Sequence, residues 1–84
     1  MNHFASPSFW EAYATLPDHI QRLADKNFDL LKSNDNHPSL HFKKMGRYWS
    51  ARVGRDFRAI AAKADDGYVW FWIGKHEEYE RMIR

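Results

Sequence analysis

Cysteine is missing altogether from these 84 residues, so disulfides and thiolate metal sites are excluded and a reducing compartment is permitted. Nor does any apolar run approach the roughly 20 residues of a membrane span, and no signal-peptide pattern opens the chain. The expected location is the cytoplasm, with no membrane partner. Repeats and low-complexity segments are absent too, and the length sets an expectation of one domain, 1–84, near the lower limit for a self-sufficient core. What the chain does have is aromatic weight. Four Trp and a hydrophobic share of 44 % point to a small core built from large rings, each burying on the order of 150–250 Å².

Acidic residues are scarce in one region. Between positions 37 and 63, Lys43, Lys44, Arg47, Arg52, Arg55, Arg58 and Lys63 stand against Asp56 alone, whereas the segments on either side are mildly acidic. The overall charge of +2 conceals this contrast. Clustered cations are the electrostatic footprint of a phosphate-bearing partner, or else a solvated face.

The chain is organised around Tyr68-Val69-Trp70-Phe71-Trp72-Ile73-Gly74. The run is aromatic and β-branched, apolar at odd and even positions alike, and follows a turn signal at Asp65-Asp66-Gly67. That pattern predicts a central strand buried on both sides. Before it, Leu40–Met45, Trp49–Val53 and Phe57–Ala61 alternate and are separated by Gly46-Arg47 and Gly54-Arg55-Asp56, which predicts an antiparallel meander. On this reading Leu40 and Phe42 share one face of the first strand, and His41 and Lys43 the other.

Two helices are expected upstream. The first begins at Ser8, as the N-cap of a capping box with Glu11, or at Ser6 with Pro7 in the first turn, and Pro17 ends it. The second, from about Asp18, sets Ile20, Leu23, Ala24, Phe28 and Leu31 on one stripe and leaves Arg22, Lys26 and Asp29 to water. Asn2–Ala5 can add an edge strand. A short last helix, about His76–Ile83, has Tyr79, Met82 and Ile83 on its apolar side. Helices first and strands afterwards argue for an α+β fold: an N-terminal helical hairpin on a twisted antiparallel sheet of three to four strands.

The ordered set Leu40-His41-Phe42-Lys43-Lys44-Met45, Trp49-Ser50-Ala51-Arg52-Val53-Gly54, Phe57-Arg58-Ala59-Ile60 and Trp70-Phe71-Trp72-Ile73-Gly74-Lys75-His76-Glu77-Glu78-Tyr79 resembles the RelE/ParE superfamily of type II toxin–antitoxin toxins, over roughly residues 7–84. The resemblance implies a growth-arresting toxin neutralised by a cognate antitoxin. One branch of that superfamily cleaves mRNA in the ribosomal A site and so blocks translation; another inhibits DNA gyrase. The fold likeness alone does not choose between them. The N-terminal strand usual in the superfamily is here very short or absent.

Metal-free RNA cleavage needs a base for the ribose 2′-OH, an acid for the leaving 5′-oxygen, cations for the transition-state charge and something to hold the bases in line. His76 can serve as acid or base, since imidazole titrates near neutrality. Arg58 and Arg52 can clamp a phosphate bidentately, as Lys cannot. Lys43 and Lys44, with Arg47, Arg55 and His41, are candidates for RNA binding. Tyr79 can stack on a base or give a proton, and it also fits the apolar stripe of the last helix. Lys43 and Lys44 also suit a strand edge kept from aggregating. His37 and His41 are four apart, but Pro38 between them breaks the helix that a metal pair would need, so neither metal nor cofactor is expected. If the strands pair in sequence order, the cations converge beside His76 on one face.

Overall fold

β5 (Gly67–Lys75) is the inner strand around which the computed structural model, which describes residues 2–83, is built. Before it come β1 (Asn2–Ala5), α1 (Pro7–Tyr13), α2 (Asp18–Ser33), a 3-10 turn (Pro38–Leu40), β2 (Lys43–Met45), β3 (Tyr48–Val53) and β4 (Phe57–Ala64); α3 (His76–Ile83) follows directly. The sheet order is β1-β5-β4-β3-β2. The meander is antiparallel as expected, but β1 pairs parallel with β5, His3 opposite Tyr68 and Ala5 opposite Trp70. The sheet therefore has five strands and is mixed, and a strand, not the helical hairpin, opens the fold. The reason lies partly at Gly67, where a Cβ would run into the backbone carbonyl of Asn2. Only glycine lets β1 start there.

The helices cover one face. Alternation carries Ala51, Val53, Ala59, Ala61, Tyr68, Trp70 and Ile73 to that side, where they pack with Phe9, Leu16, Ile20, Ala24, Leu31 and Leu40. Burying an aliphatic side chain of this size contributes about 1.5–3 kcal/mol. The α2 stripe is as the spacing predicts, with Ile20, Ala24 and Leu31 buried and Arg22, Lys26 and Asp29 exposed. Ser6, not Ser8, is the N-cap of α1, with Pro7 in the first turn. Ser8 instead donates its hydroxyl to the carbonyl of Phe71 at 2.8 Å, tying α1 to β5 where β1 no longer covers it. The Tyr13 hydroxyl donates to Asp25 at 2.8 Å, which joins the two helices and raises the Tyr13 pKa.

Two further expectations are corrected. The strand foreseen from Leu40 begins only at Lys43. Pro38–Leu40 forms a 3-10 turn capped by His37, whose Nδ1 accepts from the Ser39 amide; Leu40 drops into the core at 1 % exposure, and His41 turns back in the left-handed region at φ 46°. His41 and Lys43 thus do not share a strand face. The central strand is also not buried on both sides throughout. Between Ile60 and Ala61 the β4–β5 register slips, leaving Phe71 as an extra residue on β5. Val69, Phe71 and Trp72 are only half-buried. On α3, Tyr79 is buried as the stripe predicts, Met82 is 46 % exposed, and the side chain of Ile83 lies outside the described residues.

Candidate active site

The second face of the sheet carries the candidate chemistry. Along β3 and β4 the residues alternate away from the core, so Tyr48, Ser50 and Arg52 share this face with Arg58 and Ile60. Arg52 stands opposite Arg58, and Arg58 opposite Gly74. The strand ends one residue after Gly74, and α3 starts at His76, whose amide donates to the Asp56 carbonyl at 2.8 Å. This bond between the β3–β4 turn and the first residue of α3 folds the helix back across β4 and β5. Tyr79 of α3 and, on this face of the strands, Ile60 and Ser50 are buried at 3 %, 1 % and 1 % exposure.

Three groups meet there in a chain. The Arg58 Nε–H donates to His76 Nδ1 at 3.2 Å, and His76 Nε2 lies 2.8 Å from Glu80 Oε1. Because Nδ1 accepts, the neutral ring carries its proton on Nε2 and gives that hydrogen bond to the carboxylate. The Arg58 guanidinium also lies 5.6 Å from the Tyr79 ring centre, and the His76 and Tyr79 rings are 5.6 Å apart. Among the described residues no carboxylate pairs with Arg58. Its Nη1, the Tyr79 hydroxyl and the Ser50 hydroxyl are buried without a protein partner. A buried donor left unmade costs about 1–3 kcal/mol, more if charged, so these three groups hold unspent hydrogen-bonding capacity.

The other sequence candidates divide. Lys43 pairs with Ser50, is exposed, and belongs to the same face at its β2 edge. Lys44 pairs with Trp49 and alternates to the opposite face, away from Arg58. Arg52 shares the Arg58 row, but its Nε–H donates to the Gly54 carbonyl at 2.9 Å. Arg52 also borders a groove beside α2, where its backbone carbonyl accepts from the Asn27 side chain at 3.2 Å; Lys26, His37 and His41 line the same groove. His41 is therefore placed at that groove and not beside His76. Arg55 is exposed in the β3–β4 turn next to Asp56, close to the start of α3. Arg47 lies in the β2–β3 turn with its guanidinium 5.8 Å from the Tyr48 ring centre. A hollow bounded by Asp56, Phe57, Lys75, His76 and Glu77 opens beside the imidazole.

Sequence reasoning passed over Glu80, which orients His76. The signal was available, since residues four apart on a helix are neighbours. No three His, Asp or Glu residues gather as a metal would require among the described residues, and no helix there is long and apolar enough to cross a membrane.

Comparisons with known proteins bear on the family and the fold. The family model of the ParE-like toxin domain matches residues 18–81. The RelB–RelE antitoxin–toxin complex from Methanococcus jannaschii contains a similar chain, with a TM-score of 0.70 at 16 % identity, over 96 % of this chain and 99 % of that one. A copper-bound mutant toxin from Helicobacter pylori is similar at a TM-score of 0.60 and 16 % identity, over 93 % and 97 % of the two chains. Among curated proteins no sequence matches.

Proposed function

The chain belongs to the ParE-like toxin family, within the RelE/ParE superfamily of toxin–antitoxin toxins, and from that premise we propose that it cleaves RNA at the Arg58–His76 site, with ribosome-bound mRNA as the target. The observation that carries this reading is the contact of a half-buried Arg58, free of any carboxylate partner among the described residues, with the acceptor nitrogen of an imidazole whose other nitrogen is held by Glu80. A base oriented by a third group beside a phosphate-binding cation is the geometry that acid–base cleavage uses.

Arg58 exchanges its bond to His76 for the scissile phosphate and spreads its charge over the non-bridging oxygens. His76 Nδ1 then takes the proton of the neighbouring 2′-hydroxyl. The 2′-oxygen attacks phosphorus, the bond from phosphorus to the 5′-oxygen breaks, and the Tyr79 hydroxyl gives the leaving oxygen its proton. The products are a 2′,3′-cyclic phosphate and a free 5′-hydroxyl, and a proton passed back from His76 to Tyr79 resets the site. Arg52 at the neighbouring strand position and Lys43 at the sheet edge supply further positive charge for flanking phosphates.

Induced expression is expected to stop growth and to give cleaved message in a purified translation system. Arg58→Ala should lower cleavage by about 10²–10³-fold and His76→Ala by about 10²–10⁴-fold, with thermal melting close to that of the parent chain. Full toxicity in both variants would show that this is not the site.

One observation favours a second reading. Both His76 nitrogens are already engaged within the chain, as suits a toxin that acts by binding alone, with DNA gyrase as its target. A supercoiling assay run beside the translation assay separates the two, since only the nuclease leaves cut message. On either reading the partner is a cognate antitoxin, supported by the similar fold that is held in an antitoxin–toxin complex.

A further inference from the structure

The second face of the sheet is only half covered. α3 lies over the Arg58 end of β4 and β5. Towards the other end of the strands the face is carried by Tyr48, Ala62, Val69 and Phe71, all half-buried, and by Phe4 at 46 % exposure. The rings of Tyr48 and Phe71 meet at 5.3 Å, inclined at 62°. That meeting depends on the β5 bulge, which places the extra residue Phe71 on this side. The Arg47 guanidinium stands 5.8 Å from the Tyr48 ring centre.

The charge of this face has one sign. Lys43, Arg52 and Arg58 are the only charged residues that the described strands turn towards it, and Arg47 adds a fourth cation from the β2–β3 turn. Carboxylates border it from outside, on α3 and on the turn of Asp65 and Asp66. Along β3 the positions of Tyr48, Ser50 and Arg52 follow one another at about 7 Å, two residues of a strand. The cations thus form a file from the Arg58 row, through Lys43 opposite Ser50, to Arg47 beside Tyr48. A file of cations beside open aromatic rings is the design of a single-strand binding surface. The charges follow the phosphates, and the rings take unpaired bases.

We propose that Tyr48 and Phe71 form a stacking subsite for an unpaired base of single-stranded RNA, with Arg47 and Lys43 on its flanking phosphates. This rests on the reading of Arg58 as a phosphate site for RNA, and it extends that site about 13 Å along β3, the rise of four strand residues. Duplex RNA does not fit this reading, because its bases are not free to lie on the rings. Tyr48 and Phe71 are positioning residues: they hold the strand in line and touch no reacting atom.

The test is binding of a short fluorescent single-stranded RNA to the full chain, followed by anisotropy. Stacking on an aromatic ring is worth about 1–3 kcal/mol per base. Tyr48→Leu and Phe71→Leu are therefore expected to weaken binding about ten-fold or more each, while Tyr48→Phe retains it. Both leucine variants keep the apolar bulk, and thermal melting checks that they fold. A strand of the same length without bases should bind parent and variants alike. Unchanged RNA affinity in folded Tyr48→Leu and Phe71→Leu overturns the proposal, as does equal binding of a duplex. So does a loss confined to antitoxin binding, which would give this face to the protein partner. Ring-dependent RNA binding in a chain whose toxicity survives Arg58→Ala and His76→Ala would retire the nuclease and leave the subsite standing.

Discussion

His3 is the residue whose chemistry is most confined by the fold. Its side chain is fully buried, stacked at 5.3 Å on Tyr68, and its Nδ1 accepts from the Trp70 indole at 3.1 Å. The Nε2 proton faces Asp35 at 3.7 Å, beyond hydrogen-bond range. Burial lowers the His3 pKa, and Asp35 offsets only part of this. The unfolded imidazole accepts its proton at about 6.5, so below that pH the unfolded chain binds more protons than the folded one. The contribution of His3 is accordingly complete above about pH 6.5 and is lost as the pH falls towards the lowered folded value. Melting temperature is expected to drop between pH 7 and pH 5, and to drop less in His3→Gln. An identical pH profile in that variant would show that other groups control it. Nothing in the sequence marked His3, since an isolated histidine in a four-residue strand has no pattern around it. His76 was legible because it sits where an apolar run turns polar, and Arg58 because it breaks the apolar alternation of its strand.

At the scale of elements, alternation made the meander readable: Trp49, Ala51 and Val53 on one side, Ser50 and Arg52 on the other. The same logic fails on β5. A strand apolar at every position shows no change when an extra residue is inserted, so the bulge that turns Phe71 outward left no trace in the pattern. β1 was foreseen as an edge strand at Asn2–Ala5, but its parallel pairing with β5 was not. Its partner contact depends on the bare Cα of Gly67, and glycine after Asp66 reads as a turn residue. Gly67→Ala should therefore act as overpacking between two backbones and cost about 1–3 kcal/mol or more. Chemical denaturation measures the loss. Hydrogen exchange should place it in β1, with faster exchange of the Ser6 amide that now donates to Trp70 at 2.9 Å. Uniform loss of protection across the sheet would contradict a local effect.

For the whole molecule, the two faces of the sheet differ in charge. The strands turn only cations to the open face, whereas the helical layer mixes signs, with Asp18, Asp25 and Asp29 beside Arg22, Lys26 and Lys32. An antitoxin that covers the open face is expected to present an acidic segment to it. Raising salt from 0.1 M to 1 M shortens the Debye length from about 10 Å to about 3 Å. The complex should weaken about ten-fold or more over that range, measured by titration calorimetry. A complex indifferent to salt would remove electrostatics from the account. Composition already announced the cationic middle of the chain. It did not announce that Lys44 and His41 would lie elsewhere than Lys43 and Arg58, because that depends on a left-handed backbone at His41 and on a strand that begins only at Lys43.

The outermost strands have four residues and three. A second chain laid against either border could form only a few main-chain bonds before the ribbon ran out, too little to offset the freedom it surrenders. Growth of the sheet from one molecule into the next is thereby discouraged by brevity alone. Copies of such a protein can accumulate without polymerising edge to edge.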